Sequence, residues 1–254
     1  MTRIDIENVS IRLGGALIVD DVSLAIGDGA AVGLVGESGS GKTTLARAVV
    51  GSIAPAAGAI RRDGVIVGRP NRAQRREVQL IGQDPYSSLN PRMTVAQTIG
   101  ELLRVHRIVP RAEVAARVES LLGLVHLDPE AADAYPHQFS GGQRQRIAIA
   151  RALAVEPRVI VADEPTSALD VSVQATVIEL LRRLRAELGL TLLFISHDLA
   201  VVNEISDTVA VMERGRIVEV ADRAHFFAHP QHPYSRRLLE AVPRIAERTE
   251  GNPA

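Results

Sequence analysis

Three stretches limit the fold of this chain more than anything else in it: AAVGLV (30–35), RVIVAD (158–163) and LTLLFIS (190–196). Each is almost continuously apolar and lacks the alternation of a strand with one wet face. Such a strand needs cover on both sides, the condition met by a parallel sheet with helices packed over it. Helical periodicity lies between the runs. Val173, Val177, Leu180, Leu184 and Leu188 recur on one face before Gly189 stops the pattern, and TTLARAVV ends at Gly51. The expected class is α/β. Further strands are expected in RIDIENV (3–9), VSLAI (22–26), GVIVG (64–68) and VQLIGQ (78–83). DTVAVM (207–212) and GRIVEV (215–220) read as a strand pair. No strand signal appears over 90–155, where helices are expected from Thr94 to about Leu122, broken near Pro110, and over 143–154. The expected organisation is one domain over 1–254. Its core comes from 1–89 and 156–220, with an inserted helical lobe at 90–155 and a tail of short helices at 221–254.

Composition narrows the functional classes. Apolar residues make up 46% of 254, enough for a sizeable core, and the net charge of −1 gives no global case for binding nucleic acid. With no cysteine, disulfides and thiolate metal sites are excluded. No apolar run reaches the length of a membrane span, and MTRIDIENVS lacks the basic-then-apolar layout of a signal peptide. The expectation is a soluble, unexported protein.

The chain has one lysine among 29 basic residues, in GESGSGKT (36–43). This stretch matches GxxxxGK[ST] between an expected strand and an expected helix, the context the pattern requires. Its glycines let successive backbone N–H groups curl around phosphate oxygens, with the helix N-terminus aimed at them. Lys42 must reach the outer phosphates inside that wrap, where a compact ammonium fits and a wide guanidinium does not. Thr43 offers its hydroxyl to Mg²⁺. The phosphate-binding set is Gly36, Glu37, Ser38, Gly39, Ser40, Gly41, Lys42, Thr43 and Thr44. At the end of a second apolar run, Asp163 is suited to hold Mg²⁺ and Glu164 to act as general base on a water. A helix-capping Asp-Glu pair is the structural alternative.

Ser140-Gly141-Gly142-Gln143, in FSGGQRQRIAIARAL (139–153), opens a second anion-binding helix. With it the sequence resembles the ATP-binding cassette (ABC) ATPases. Their motifs occur here in the family's order: Gln83 in LIGQD, Asp163-Glu164, Asp170 in SALD and His197 in ISHD. Singly, Gln83 also reads as a loop amide, Asp170 as a helix cap and His197 as a satisfied buried imidazole. The resemblance covers nearly the whole chain. It implies a phosphate-loop nucleoside triphosphatase fold with a RecA-like parallel core, an antiparallel β subdomain and an inserted helical subdomain. It also implies ATP and Mg²⁺ as ligands, with Thr43, Gln83 and Asp163 around the metal and Glu164 and His197 in catalysis. Two subunits, identical or similar, would sandwich ATP between the Lys42 loop of one and Ser140–Gln143 of the other, with Asp170 at the seam. One departure concerns the base. Where the family stacks an aromatic ring on adenine this chain has Leu13, and no Phe, Tyr or Trp precedes Tyr86. Base selectivity is then loose, or the Arg12 guanidinium stacks instead.

QDPYSSLNPRMTV (83–95) and AHPQHPYSRRLLEAVP (228–243) are similar to stretches in ATPase subunits of oligopeptide, dipeptide and nickel importers. That implies separate transmembrane permease subunits, indirect dependence on an external solute-binding protein, no nucleic acid, and a peripheral place on the cytoplasmic face of the membrane. His225, His229 and His232 have helical spacing, but Pro230 and Pro233 break that helix and no carboxylate or cysteine in the tail completes a metal set. The arginines at 61, 62, 69, 72, 75 and 76 read as a solvated edge, with lipid headgroups as the lesser alternative. A soluble ABC ATPase of DNA repair or translation is the competing function. Its repair forms carry long coiled coils or zinc modules between Gln83 and the signature, where this chain has 56 residues without heptads or cysteine. A phosphate-loop kinase or GTPase has no use for the SGGQ helix, and no NKxD motif occurs.

Overall fold

The computed structural model describes residues 2–67 and 71–241. Strands β1 (Ile4–Leu13) and β2 (Ala16–Ile26) form a hairpin turned at Gly14-Gly15. Strand β3 (Ala31–Val35) then leads into helix α1 (Lys42–Val49). Next come β4 (Ala57–Arg62), β5 (Val65–Ile66), α2 (Arg72–Glu77), β6 (Val78–Ile81) and the short α3 (Pro85–Ser88). Helices α4 (Val95–His106), α5 (Val114–Leu124) and α6 (Gly141–Leu153) follow without an intervening strand. The second half alternates β7 (Val159–Asp163), α7 (Val171–Leu188), β8 (Thr191–Ile195), α8 (Leu199–Ile205) and β9 (Thr208–Glu213). It closes with β10 (Arg216–Asp222), α9 (Arg223–Ala228) and α10 (Pro233–Glu240).

The main sheet has the order β10-β9-β3-β8-β7-β6, parallel except for the β10–β9 pair. The continuous apolar runs are its central strands, and successive residues divide between two cores. Val32 and Leu34, Val159 and Val161, and Leu193 and Ile195 face the core shared with α1 and the antiparallel sheet β2-β1-β4-β5. Ala31 and Val35, Ile160 and Ala162, and Leu192 and Phe194 face the core shared with α4 to α8. Period-2 geometry therefore requires an apolar residue at every position, because neither face is wet.

Several local expectations change. The hairpin strands run longer than RIDIENV and VSLAI, because pairing carries them up to the turn. AGAIRR carries little strand signal of its own but forms β4, with Ile60 opposite Ile6 and Arg62 opposite Ile4. Cross-strand pairing overrides intrinsic propensity there. Of GVIVG only Val65–Ile66 forms strand, as an exposed edge; the buried Val67 adds an N–H bond to the Ile60 carbonyl at 2.7 Å, and Gly68 lies outside the described residues. The basic stretch is not uniformly a solvated edge. Arg62 is 5% exposed and donates to the carbonyls of Gln74 (2.8 Å) and Val49 (2.9 Å), so burial depresses its pKa. Arg61 pairs with Glu7, and Arg76 with Glu156 and the Val155 carbonyl. Arg69 and the tail beyond Ala241 lie outside the described residues.

Candidate functional site

Parallel topology brings separated segments to one edge. The loops after β3, β8, β7 and β6, four neighbouring strands in that order, all leave from the carboxyl ends. In open α/β sheets that edge is where ligands bind. The Lys42 loop follows β3, His197 follows β8, Asp163 and Glu164 end β7, and Gln83 follows β6.

The loop from Gly36 to Gly41 is tied down by its surroundings. Gly36 has φ +152°, and a Cβ there would lie 2.1 Å from the Met212 carbonyl oxygen, so only glycine fits. Ser40 accepts the Gly215 N–H at its carbonyl, 2.9 Å away. Lys42 is 5% exposed, and its Nζ donates to the carbonyls of Gly36 (2.7 Å) and Glu37 (2.8 Å). Burial lowers its pKa, partly offset by Glu164, Asp163 and Glu37. The ammonium therefore lies inside the curl of the loop, the position the sequence pattern requires. Thr43 and Thr44 occupy the first turn of α1.

Asp163 is buried, and its Oδ1 accepts from the Thr43 hydroxyl at 3.1 Å. Burial pushes its carboxyl above the usual range, against the pull of that hydrogen bond. A buried carboxylate beside a hydroxyl is a hard-oxygen pair suited to Mg²⁺. The hydrogen bond of Gln83 goes to the neighbouring carboxylate: its Nε2 donates to Glu164 Oε2 at 3.4 Å. Glu164 has the left-handed φ of +49°, unusual for its type, and its N–H bonds the Ile195 carbonyl at 2.9 Å. The same Oε2 lies 3.3 Å from His197 Nδ1. His197 is 61% exposed, which removes the reading of a satisfied buried imidazole. Among the described residues neither Asp163 nor Glu164 caps a helix; the next helix is capped by Asp170.

Other expected residues stand elsewhere. Ser140 and Gln143 form a reciprocal capping box at the start of α6. Gly141 and Gly142 pack on Leu169 and Val173. Asp170 caps α7, accepting from the Val173 N–H at 3.0 Å. Among the described residues, the hydrogen bonds of Ser140 and Gln143 stay within the start of α6. Leu13 is 42% exposed beside the hairpin turn, and Arg12 donates to the Gly15 carbonyl of that turn.

Two residues make contacts that their sequence pattern does not indicate. Arg144 is buried, donates to the Pro136 carbonyl at 2.6 Å, and lies 3.8 Å from the ring centroid of the exposed Tyr86. It joins the segment after Gln83 to the helix that begins at Ser140. A basic residue on the inner face of α6 was its only trace. Tyr234 is buried and meets the Gly36–Gly41 loop at Glu37, although its sequence signal is a subfamily pattern alone. The three tail histidines do not share a helix: His225 lies in α9, His229 just after it, and His232 caps α10. Among the described residues no helix is long and apolar enough to cross a membrane. A cleft of about 1330 Å³ opens between β4–β6 and α6, lined by Val50, Pro55, Ile66, Leu80, Asp84, Ser88 and Arg151 among others.

Comparisons with known proteins identify the family. Residues 19–167 match the family model described as ABC transporter, and residues 218–254 match the C-terminal region of oligopeptide/dipeptide transporters. A protein of Brucella ovis named for peptide import ATP binding is 55% identical over 230 residues, covering 89% of this chain and 73% of its own. The glutathione import ATP-binding protein of Pectobacterium atrosepticum is 51% identical over 89% of this chain, which spans 37% of that protein. Among solved structures, cbiO1 of Clostridium perfringens, part of the ABC transporter complex cbiONQ, is 27% identical. It superposes with a TM-score of 0.81 over 95% of this chain and 96% of its own. Sequence over more than half the length and fold over nearly all of it agree that this chain belongs to the ABC transporter family, as an ATP-binding ATPase subunit.

Proposed function

We propose that this subunit powers import of peptides or similar small solutes by separate permease subunits, working in pairs that close on ATP. The observation that carries the reading is the single carboxylate oxygen of Glu164, held between His197 Nδ1 and Gln83 Nε2 at the carboxyl edge of the sheet. A water there has its proton acceptor already oriented, the geometry general-base catalysis needs. His197 steers that water and meets the terminal phosphate. Lys42 and the amides of residues 36–44 hold the phosphates. Thr43 and Asp163 would hold Mg²⁺, and Gln83, which bonds Glu164, would complete the set. Mg²⁺, when bound, supplies charge neutralisation on the phosphate oxygens. Leu13 and Arg12 border the base.

Ser140–Gln143 present an N-terminal helix end whose partner is the phosphate of a neighbouring subunit, with Asp170 at the seam. The neighbour is a second copy or a similar chain. Nucleotide then bridges two positive helix ends, and loss of phosphate opens the pair. The cleft beside α3 suits a short helix of a permease, which puts the subunit peripherally on the cytoplasmic face of the membrane, with an external solute-binding protein delivering cargo. Relatives named for peptide and glutathione import support this direction and cargo class, and leave a repair or translation ATPase without support.

The test is ATP-dependent dimerisation. In a Glu164→Gln background, ATP should convert monomer to dimer in sedimentation. Adding Ser140→Arg should abolish the dimer while nucleotide binding to the single subunit persists. Loss of binding instead would assign the signature to the subunit's own pocket. Co-purification with membrane subunits would then test the transport role.

A further inference from the structure

The tail helix reaches the phosphate loop. Tyr234, 4% exposed, accepts the backbone N–H of Glu37 at its hydroxyl, 2.9 Å away and 197 positions earlier in the chain. Its seat is built step by step. Glu219 on β10 accepts the N–H groups of Gln231 and His232, one at each carboxylate oxygen and both at 2.9 Å. That fixes the turn before α10. His232 caps the helix through Nδ1, which accepts the Tyr234 N–H at 3.2 Å. Pro233 takes the first helical position, where a missing N–H costs nothing. Ser235, the next residue, is fully buried. These bonds fix the backbone from which the buried ring projects.

Residue 37 is consequently held at both ends of its backbone. Its N–H is bound by Tyr234 and its carbonyl by Lys42 Nζ. A loop that wraps phosphate gains affinity when its curl is set before the ligand arrives, because less ordering remains to be done on binding.

We infer that Tyr234 is a positioning residue for nucleotide binding: the His-Pro-Tyr turn of the tail is a strut that presets the phosphate loop through the Glu37 amide. The inference rests on the ATP-binding reading of that loop. It makes the tail part of the ATPase machinery, acting on affinity and leaving the chemical step at Glu164 untouched.

Tyr234→Phe removes the acceptor and keeps the ring in its core. The full chain should be compared with the variant in two measurements. Without nucleotide, amide hydrogen exchange at Glu37 should be about tenfold faster in the variant, as expected for loss of a local hydrogen bond. In steady-state turnover, KM for ATP should rise about three- to tenfold, the range for one hydrogen bond. Over the same series kcat should stay within about twofold. An unchanged Glu37 exchange rate, an unchanged KM, or a fall in kcat at constant KM would each overturn the inference. Absence of ATP turnover in the wild-type chain would sink the ATPase reading instead, while the nucleotide-free exchange comparison still decides whether the strut exists.

Discussion

His197 Nδ1 lies 3.3 Å from Glu164 Oε2, joining the loops that follow two neighbouring parallel strands, β8 and β7. In the neutral imidazole an Nδ1–H donated to the carboxylate leaves Nε2 as the acceptor. In the proposed function this pair would supply one oriented base and one steering group.

Glu164→Gln keeps the size of the side chain and one oxygen for His197, but it cannot take a proton. Phosphate release should fall by about 10²–10⁴-fold, the range for a general base. ATP binding by fluorescence titration should be retained. Turnover at the wild-type rate would remove Glu164 from the base role.

Lys42→Arg tests why one lysine remains in an arginine-rich chain. The ammonium fits between two loop carbonyls at 2.7 and 2.8 Å in a buried pocket. A guanidinium is too wide for that place. Affinity for ATP should drop by at least about 10²-fold, the loss of a charge-assisted phosphate contact with added steric strain. Retained affinity in calorimetry would refute the size argument.

Gly142→Ala tests the packing of the signature helix. A Cβ at 142 would lie 2.3 Å from Val173 Cγ1, yet 3.6 Å from Val173 Cβ. The single variant should lose about 1–3 kcal/mol of stability through overpacking. Adding Val173→Ala removes the clashing methyl, so the double variant should recover part of the loss. A denaturant series gives the coupling directly, and strict additivity would mean that the two residues do not meet.

Asp163→Asn separates stability from activity. Burial raises the folded pKa of Asp163 above its unfolded value. The folded state then holds the proton more tightly, so the wild-type chain loses stability as pH rises from the ordinary carboxylate range through the folded pKa. The neutral variant escapes that loss. Its nucleotide-free melting temperature should exceed the wild type's at neutral pH, and the gap should close at acid pH. Mg²⁺-dependent hydrolysis should be lost. A gap that widened on acidification would contradict the burial argument.

Much of the fold was legible because the constraints were local and strong. The runs at β3, β7 and β8 admit only a doubly covered sheet, and the glycine spacing around Lys42 admits only a tight anion loop. β4 was not legible: AGAIRR has no periodic signal, and only its pairing with β1 makes it a strand. Arg62 resembled its exposed neighbours in sequence, and two distant carbonyls are what bury it. Helix α8 left little signal beyond Asp198, which caps it by accepting from the Ala200 and Val201 N–H groups.

The sequence by itself determined the class of fold, and it marked the glycine-rich loop around Lys42 and the Asp163-Glu164 pair as candidates, since each depends on residue types within one short segment. Tertiary structure alone decided that Gln83, Glu164 and His197 meet at one oxygen and that Tyr234 holds the Glu37 amide. Those contacts depend on the order of parallel strands and on the path of a tail nearly two hundred residues away, and neither is written in local spacing.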